Sequence, residues 1–188
     1  MLNLLDMARD PRFTFEVQLV VRSPVDFARN CAVKLARERK ADWLLMVDND
    51  QSFYNNPLEI PLIAEPQQIS IVGISTVMLI DAGFSGNFQE PPVRQWDATR
   101  ELFKVDWIGT GAMFVSHRVW ESVAGPWFRW ETGDDELLTP RLSEDQVFCK
   151  CMREKGFQTW ADSKPMSHHK TVDLTQVIAM QQQQRGER

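Results

Sequence analysis

Residues 41–50 have the sequence ADWLLMVDND, in which the apolar run Trp43–Val47 stops abruptly at Asp48. A continuous apolar run of this length is typical of a strand that is buried on both faces of a sheet. The preceding segment, residues 24–40, opens with Pro24 and carries apolar residues at helical spacing before a charged end, which predicts a helix. A helix leading into a buried strand indicates an α/β fold.

The same reasoning extends outward along the chain. It predicts strands at 13–21, 69–79, 104–108, 112–115 and 157–161, and helices at 57–65, 118–123, 144–155 and 172–182. Ser143 and Gln146 have the spacing of a capping box at the start of one of these helices. This order predicts a mostly parallel central sheet flanked by helices.

The arrangement of these elements indicates a single domain over residues 1–182. Residues 81–100 contain Gly83, Gly86 and Pro91–Pro92 and are predicted to form an irregular excursion of the kind that borders a binding site. Residues 183–188 are predicted to be a disordered tail.

Composition excludes several classes of function. The 188 residues include 21 Lys and Arg against 26 Asp and Glu, a net charge of −5, so a broad cationic surface for nucleic acid is not expected. No apolar run approaches the ~20 residues of a transmembrane segment, and the first residues lack the features of a signal peptide. Three cysteines are an odd number for a disulfide framework, and we therefore expect a cytoplasmic protein.

Asp48 and Asp50 follow the strand at the sheet edge where open α/β sheets bind ligands. Alternation along an extended chain would point both carboxylates to one side, where they could bind Mg²⁺ or Mn²⁺. Asp-Asn-Asp is also a good turn sequence, and spacing alone does not separate the two interpretations.

Further polar residues have both a functional and a structural interpretation. Glu144 and Asp145 fit general acid–base chemistry but also suit any helix N-terminus. The adjacent pair His168 and His169 could bind a metal or be ordinary surface histidines. Arginines at 22 and 29 could hold a diphosphate through bidentate contacts, or be solvated or paired with Asp26.

Several motifs together resemble the GT-A-fold glycosyltransferases, specifically those similar to family 2. In order they are Pro24-Val25-Asp26-Phe27-Ala28-Arg29-Asn30, the D-x-D motif Asp48-Asn49-Asp50 with its strand, Gly109-Thr110-Gly111-Ala112-Met113, Ser143-Glu144-Asp145-Gln146-Val147-Phe148-Cys149, and His168. Each motif is weak alone, but their order and spacing match from about residue 14 to residue 174. The resemblance implies a Rossmann-like nucleotide-diphospho-sugar transferase fold.

The resemblance also implies an activity. A metal-dependent, hexosyltransferase-type enzyme would transfer a sugar from a UDP- or GDP-sugar to a glycan, lipid or protein acceptor, and the placement of Glu144 and Asp145 favours inversion. The implied metal ligands for Mn²⁺ or Mg²⁺ are Asp48, Asp50 and His168. The implied donor-binding residues are Arg22, Arg29, Asn30 and Asp48; the acceptor side is Trp107, Gly109, Thr110 and Gly111; and the catalytic residues are Asp145, as the base, and Glu144.

Compared with that family, the sequence lacks the usual first strand, so we expect an unpaired sheet edge that favours homo-oligomers. Two other functions compete with the glycosyltransferase. A truncated, inactive module would bind sugar nucleotide or glycan without turnover. A metal-dependent nucleotidyltransferase would need a glycine-rich phosphate loop after its first strand, and the sequence contains none.

Overall fold

The computed structural model describes residues 7–21, 24–49, 51–53, 56–74, 76–80, 83–85, 102–133, 140–162 and 167–169. The helices are α1 (Val25–Glu38), α2 (Glu59–Ala64), α3 (His117–Ser122) and α4 (Glu144–Glu154), with a 3-10 turn at Glu65–Gln67. The strands are β1 (Trp43–Val47), β2 (Gln51–Phe53), β3 (Ile71–Gly73), β4 (Thr76–Ile80), β5 (Gly83–Ser85), β6 (Leu102–Val105), β7 (Ala112–Ser116), β8 (Glu131–Thr132), β9 (Pro140–Leu142), β10 (Thr159–Asp162) and β11 (Ser167–His169).

The central sheet has five strands in the order β1-β7-β3-β10-β6. Of its four neighbouring pairs, β1–β7, β3–β7 and β6–β10 are antiparallel and β3–β10 is parallel. The prediction of a mostly parallel sheet is therefore wrong. Strands β1, β3 and β10 do run in one direction, but β7 inserts between β1 and β3 in the opposite direction. Neighbours in space are thus not neighbours in the chain.

Both faces of the central sheet are covered, as the apolar run in β1 predicts. On one face, Met113 and Val115 of β7 pack in a cluster with α1, α3 and α4. On the other face, Ala112 and Phe114 of the same strand pack in a cluster with α2. The alternation follows from the two-residue period of a strand, and it fixes the register of β7.

The predicted strand at 13–21 is not formed. Phe13 and Phe15 pack against the cluster that contains Phe114, but the chain beyond them forms no helix or strand and is mostly exposed. Leu19 is 87% exposed and Val21 is 77% exposed. In the part of the chain that the structure describes, β1 pairs with β7 alone, and this β-favouring segment does not pair with the other edge of β1.

The predicted strand at 69–79 is divided between two sheets. Its first part, β3, lies in the central sheet, and its second part, β4, belongs to a four-stranded sheet in the order β2-β11-β4-β5. The helices α1, α2, α3 and α4 confirm the predictions for those regions to within a few residues. The predicted helix at 172–182, the tail at 183–188 and most of the excursion at 81–100 lie outside the described residues.

The two longest helices carry polar residues on their buried faces. Arg29, Val33 and Ala36 form the buried stripe of α1 at i, i+4 and i+7. In α4, Glu144 shares the buried face with Val147 and Phe148. The packing that buries the apolar residues therefore also fixes Arg29 and Glu144. No helix in the described ranges is both long enough and apolar enough to cross a bilayer.

Candidate active site

Asp48 follows β1 directly, and its main chain is fixed from two directions. Its N–H donates to the carbonyl oxygen of Gly111 at 2.8 Å, and its own carbonyl accepts from the N–H of Gln51 at 3.1 Å. The Asp48 side chain is nevertheless 47% exposed. The turn therefore presents a carboxylate to solvent at the carboxyl end of β1, on a backbone held by two hydrogen bonds.

Gly111 lies beside this carboxylate because it has no side chain. A Cβ at Gly111 would lie 3.0 Å from Nε2 of Gln51 and 3.4 Å from Oδ2 of Asp48. The glycine predicted on the acceptor side is thus in close contact with a predicted donor-side residue. Sequence reasoning missed Gln51, whose only signal was its position directly after the Asp-Asn-Asp turn.

Arg29 joins two carboxylates that are far apart in the chain. Its Nη1 donates to Oε1 of Glu144, and its Nη2 lies 3.4 Å from Oδ1 and 3.5 Å from Oδ2 of Asp48. Arg29 and Glu144 are buried, at 8% and 6% exposure. The structure therefore brings a predicted donor-side residue and a predicted catalytic residue onto one guanidinium.

The charge of Arg29 is held in a desolvated setting. Burial, the largest influence, lowers the pKa of the guanidinium, while the carboxylates of Asp48 and Asp145 act in the opposite direction. An arginine remains charged in proteins even when its pKa falls. The site thus contains a fixed positive charge among three acidic side chains.

Asp145 follows Glu144 in the first turn of α4 but makes different contacts. Its Oδ1 accepts from Oγ of Ser143 and, at 2.8 Å, from the main-chain N–H of Gln146. The predicted capping box of Ser143 and Gln146 is confirmed. These contacts hold one carboxylate oxygen of Asp145 at the positive end of a helix, where negative charge is stabilised.

Asn30 connects α1 to residues 127–128. Its Nδ2 donates to the carbonyl oxygens of Asp26 at 2.8 Å and Phe128 at 2.7 Å. Its Oδ1 accepts from the N–H groups of Trp127 at 2.8 Å and Phe128 at 3.1 Å. The amide predicted to lie along the donor is therefore engaged with main-chain groups on both of its polar atoms.

We expect Asn30→Ala to lower the free energy of unfolding by about 2 kcal/mol, because it leaves several partly buried main-chain groups without a partner. The urea midpoint would fall, as measured by circular dichroism. Gln67→Ala removes an exposed amide that donates to one carbonyl oxygen, and should change stability by less than about 0.5 kcal/mol. Equal midpoints for the two variants would contradict this structural role of Asn30.

The remaining residues predicted on the acceptor side have different surroundings. Thr110 is 1% exposed, and in the described structure its hydroxyl oxygen has no hydrogen-bond partner. Trp107 is partly buried and packs against the core cluster that includes Phe148. Gly109 lies between them in the chain, in the turn that leads to Gly111.

Three predicted site residues are described incompletely. Arg22 and Asp50 lie outside the described residues. The backbone of His168 lies in β11, opposite Ser52 of β2, so the strand after the Asp48 turn pairs with the strand of the histidines. Within the described ranges there is no group of three or more His, Cys, Asp or Glu residues that could hold a metal ion.

Comparisons with known proteins agree with the fold. No family model matches the sequence, and a search of curated proteins finds no match. The structure is similar to the crystal structure of A197 from STIV, with a TM-score of 0.61 and 16% sequence identity, over 89% of this chain and 78% of that chain. The two proteins share an α/β fold.

Proposed function

We propose that this protein is a metal-dependent glycosyltransferase that transfers a sugar from a UDP- or GDP-sugar to an acceptor hydroxyl. The observation that carries the proposal is the position of Arg29, which pairs with Glu144 and lies 3.4 Å from the carboxylate of Asp48. It joins the end of β1, where α/β sheets bind ligands, to the acidic start of α4. The α/β fold shared with A197 is compatible with the same conclusion.

The donor side is assigned to the end of β1. Asp48, with Asp50 and His168, would hold Mn²⁺ or Mg²⁺, since carboxylate oxygens and an imidazole suit these ions. The exposed carboxylate of Asp48 fits this role. When bound, the ion would stabilise the negative charge of the departing diphosphate. Arg29 lies on the donor side next to Asp48, and Arg22 completes the proposed set. The amide of Asn30, expected from the sequence to bind the donor, is instead engaged with main-chain groups on both polar atoms.

The acceptor side is assigned to α4 and the loop at 107–111. The acceptor oxygen forms a bond to the anomeric carbon while the bond from that carbon to the diphosphate oxygen breaks. The hydroxyl proton passes to Asp145 as general base. Because Oδ1 of Asp145 is engaged by Ser143 and Gln146, we assign Oδ2 as the oxygen that accepts the proton. An attack opposite the leaving group inverts the anomeric centre.

We expect UDP or GDP to bind in the presence of Mn²⁺, and Asp50→Ala to weaken that binding by about 10- to 50-fold through the loss of a charged contact. Calorimetric titration with and without Mn²⁺ measures both effects. His168→Ala should cause a similar loss of binding. His169→Ala, a substitution at the neighbouring position, is the matched control. Asp42→Ala removes an exposed carboxylate at the opposite end of β1 and should leave binding unchanged.

The same titrations test the proposal as a whole. Folded wild-type protein that binds neither nucleotide, with or without Mn²⁺, would contradict the proposed function. Nucleotide binding without turnover of any UDP- or GDP-sugar would instead support the inactive binding module.

A further inference from the structure

Two carboxylates compete for the guanidinium of Arg29, and the competition is unequal. Nη1 of Arg29 donates directly to Oε1 of Glu144, whereas Nη2 lies 3.4 Å and 3.5 Å from the oxygens of Asp48. Charge-assisted hydrogen bonds are ordinarily about 2.7–2.9 Å long. Arg29 is therefore held by Glu144 and only approaches Asp48.

Burial strengthens this preference. Glu144 is 6% exposed, while water reaches nearly half of the Asp48 side chain. An ionic contact is stronger where water is excluded, and a buried charge left alone carries a large desolvation penalty. If Glu144 lost its charge, the nearest anion for Arg29 would be Asp48.

We propose that Glu144 is a positioning residue that holds Arg29 away from Asp48, so that the Asp48 carboxylate stays available for the metal and donor. Glu144 acts through Arg29 and does not take part in proton transfer. This inference rests on the proposed function. The inference gives the two adjacent acids of α4 different roles. Asp145 would act on the acceptor, and Glu144 would act on the donor site.

The test compares three variants by calorimetric titration of UDP and GDP with Mn²⁺. Glu144→Gln should weaken Mn²⁺-dependent nucleotide binding by about 10-fold, because Arg29 then pairs with Asp48. In the double variant Arg29→Met/Glu144→Gln no guanidinium competes, so binding should be tighter than in Glu144→Gln alone. Arg29→Met alone leaves a buried unpaired carboxylate and is used only if its melting curve shows a folded protein.

A matched control exists elsewhere in the chain. Glu65 pairs with Arg118 at 2.6 Å, and that arginine also contacts Ser70 and Ile69. Glu65→Gln removes an ion pair that is more exposed than that of Arg29 and Glu144, with side-chain exposures of 50% for Glu65 and 28% for Arg118, and it should leave nucleotide binding unchanged. If Glu144 had only a structural role, the two glutamine variants would differ in melting temperature but not in affinity for nucleotide.

Each outcome separates the inference from the proposed function. Unchanged nucleotide affinity in Glu144→Gln, or a double variant that binds no more tightly than Glu144→Gln, would overturn the inference alone. Normal binding with lost turnover in Glu144→Gln would make Glu144 catalytic and would also overturn it. If folded wild-type protein binds no nucleotide, the proposed function fails and the inference fails with it.

Discussion

Asp145→Asn is expected to reduce sugar transfer by about 10²- to 10⁴-fold while leaving the affinity for UDP or GDP within about 2-fold of wild type. A positioned general base contributes about this factor, and an amide cannot accept the acceptor proton at neutral pH. The effect should appear in kcat, because the proton is transferred only as the acceptor attacks.

The substitution is well suited to this test because Asn retains the contacts that shape the helix start. The oxygen of Asn can still accept from the hydroxyl of Ser143 and the N–H of Gln146, as Oδ1 of Asp145 does. The capping-box bond from the N–H of Ser143 to the side chain of Gln146 does not involve residue 145. We therefore expect the melting temperature to change little.

The measurement is release of nucleotide from whichever UDP- or GDP-sugar the wild type turns over, with nucleotide affinity determined in parallel. Glu154→Gln is the matched control, since it neutralises an exposed acid at the other end of α4. Wild-type turnover in Asp145→Asn would remove this residue from the role of base. The contrast with Glu144→Gln, where affinity should fall, distinguishes the two neighbouring acids.

Local sequence patterns predicted the elements that carry the site. The apolar run before Asp48 and the capping box at Ser143 each depend on residues close together in the chain. The strand and the capping box are both confirmed, although only Met46 of β1 is buried and Val47 is exposed. The helical spacing of apolar residues after Pro24 also predicted the helix that contains Arg29. These patterns are reliable because the interactions behind them form within one or two turns or within one strand.

Interactions between distant residues were not predictable in the same way. The sequence around 112–116 indicates a strand, but it does not indicate that this strand lies between β1 and β3. That position makes the central sheet mostly antiparallel. The segment at 13–21 has the composition of a strand, yet strand formation needs a partner as well as propensity. Likewise, Asn30 and Phe128 are 98 residues apart, and no local pattern indicates that they meet.

The joint contact of Arg29 with Asp48 and Glu144 is also a product of the tertiary fold. The sequence suggested a role for each residue separately, but a common arginine requires α1 and α4 to pack on the same face of the sheet, as they do. That packing depends on the centre of the sheet, where β3 lies between β7 and β10.

Gly73→Ala is expected to lower the free energy of unfolding by about 3 kcal/mol, near the upper end for overpacking a core. Gly73 is the last residue of β3, and a Cβ there would lie 1.7 Å from Cδ1, 2.3 Å from Cγ1 and 2.8 Å from Cγ2 of Ile108. Three atoms of one side chain are too close, so rotation of a single bond cannot relieve the contact. Ile108 is fully buried.

Neither side of this contact can move easily. Gly73 pairs with Met113 of β7 and with Ala161 of β10, so β3 is held by ladders on both edges. A loss of about 3 kcal/mol corresponds to about a 150-fold change in the folding equilibrium. Urea denaturation should show a lower midpoint with an unchanged slope.

A second glycine separates the close contact from the general cost of replacing glycine. Gly156 has a φ of +92° and no atom within 4 Å of the position of a Cβ, so Gly156→Ala should cost only about 1 kcal/mol of backbone strain. The double variant Gly73→Ala/Ile108→Ala provides the decisive comparison. Ile108→Ala alone should cost about 2–5 kcal/mol, but it also removes the atoms that a Cβ at residue 73 would meet. The double variant should therefore be more stable than the sum of the two single losses predicts, and strict additivity would show that the close approach of Ile108 is not the reason for a glycine at this position.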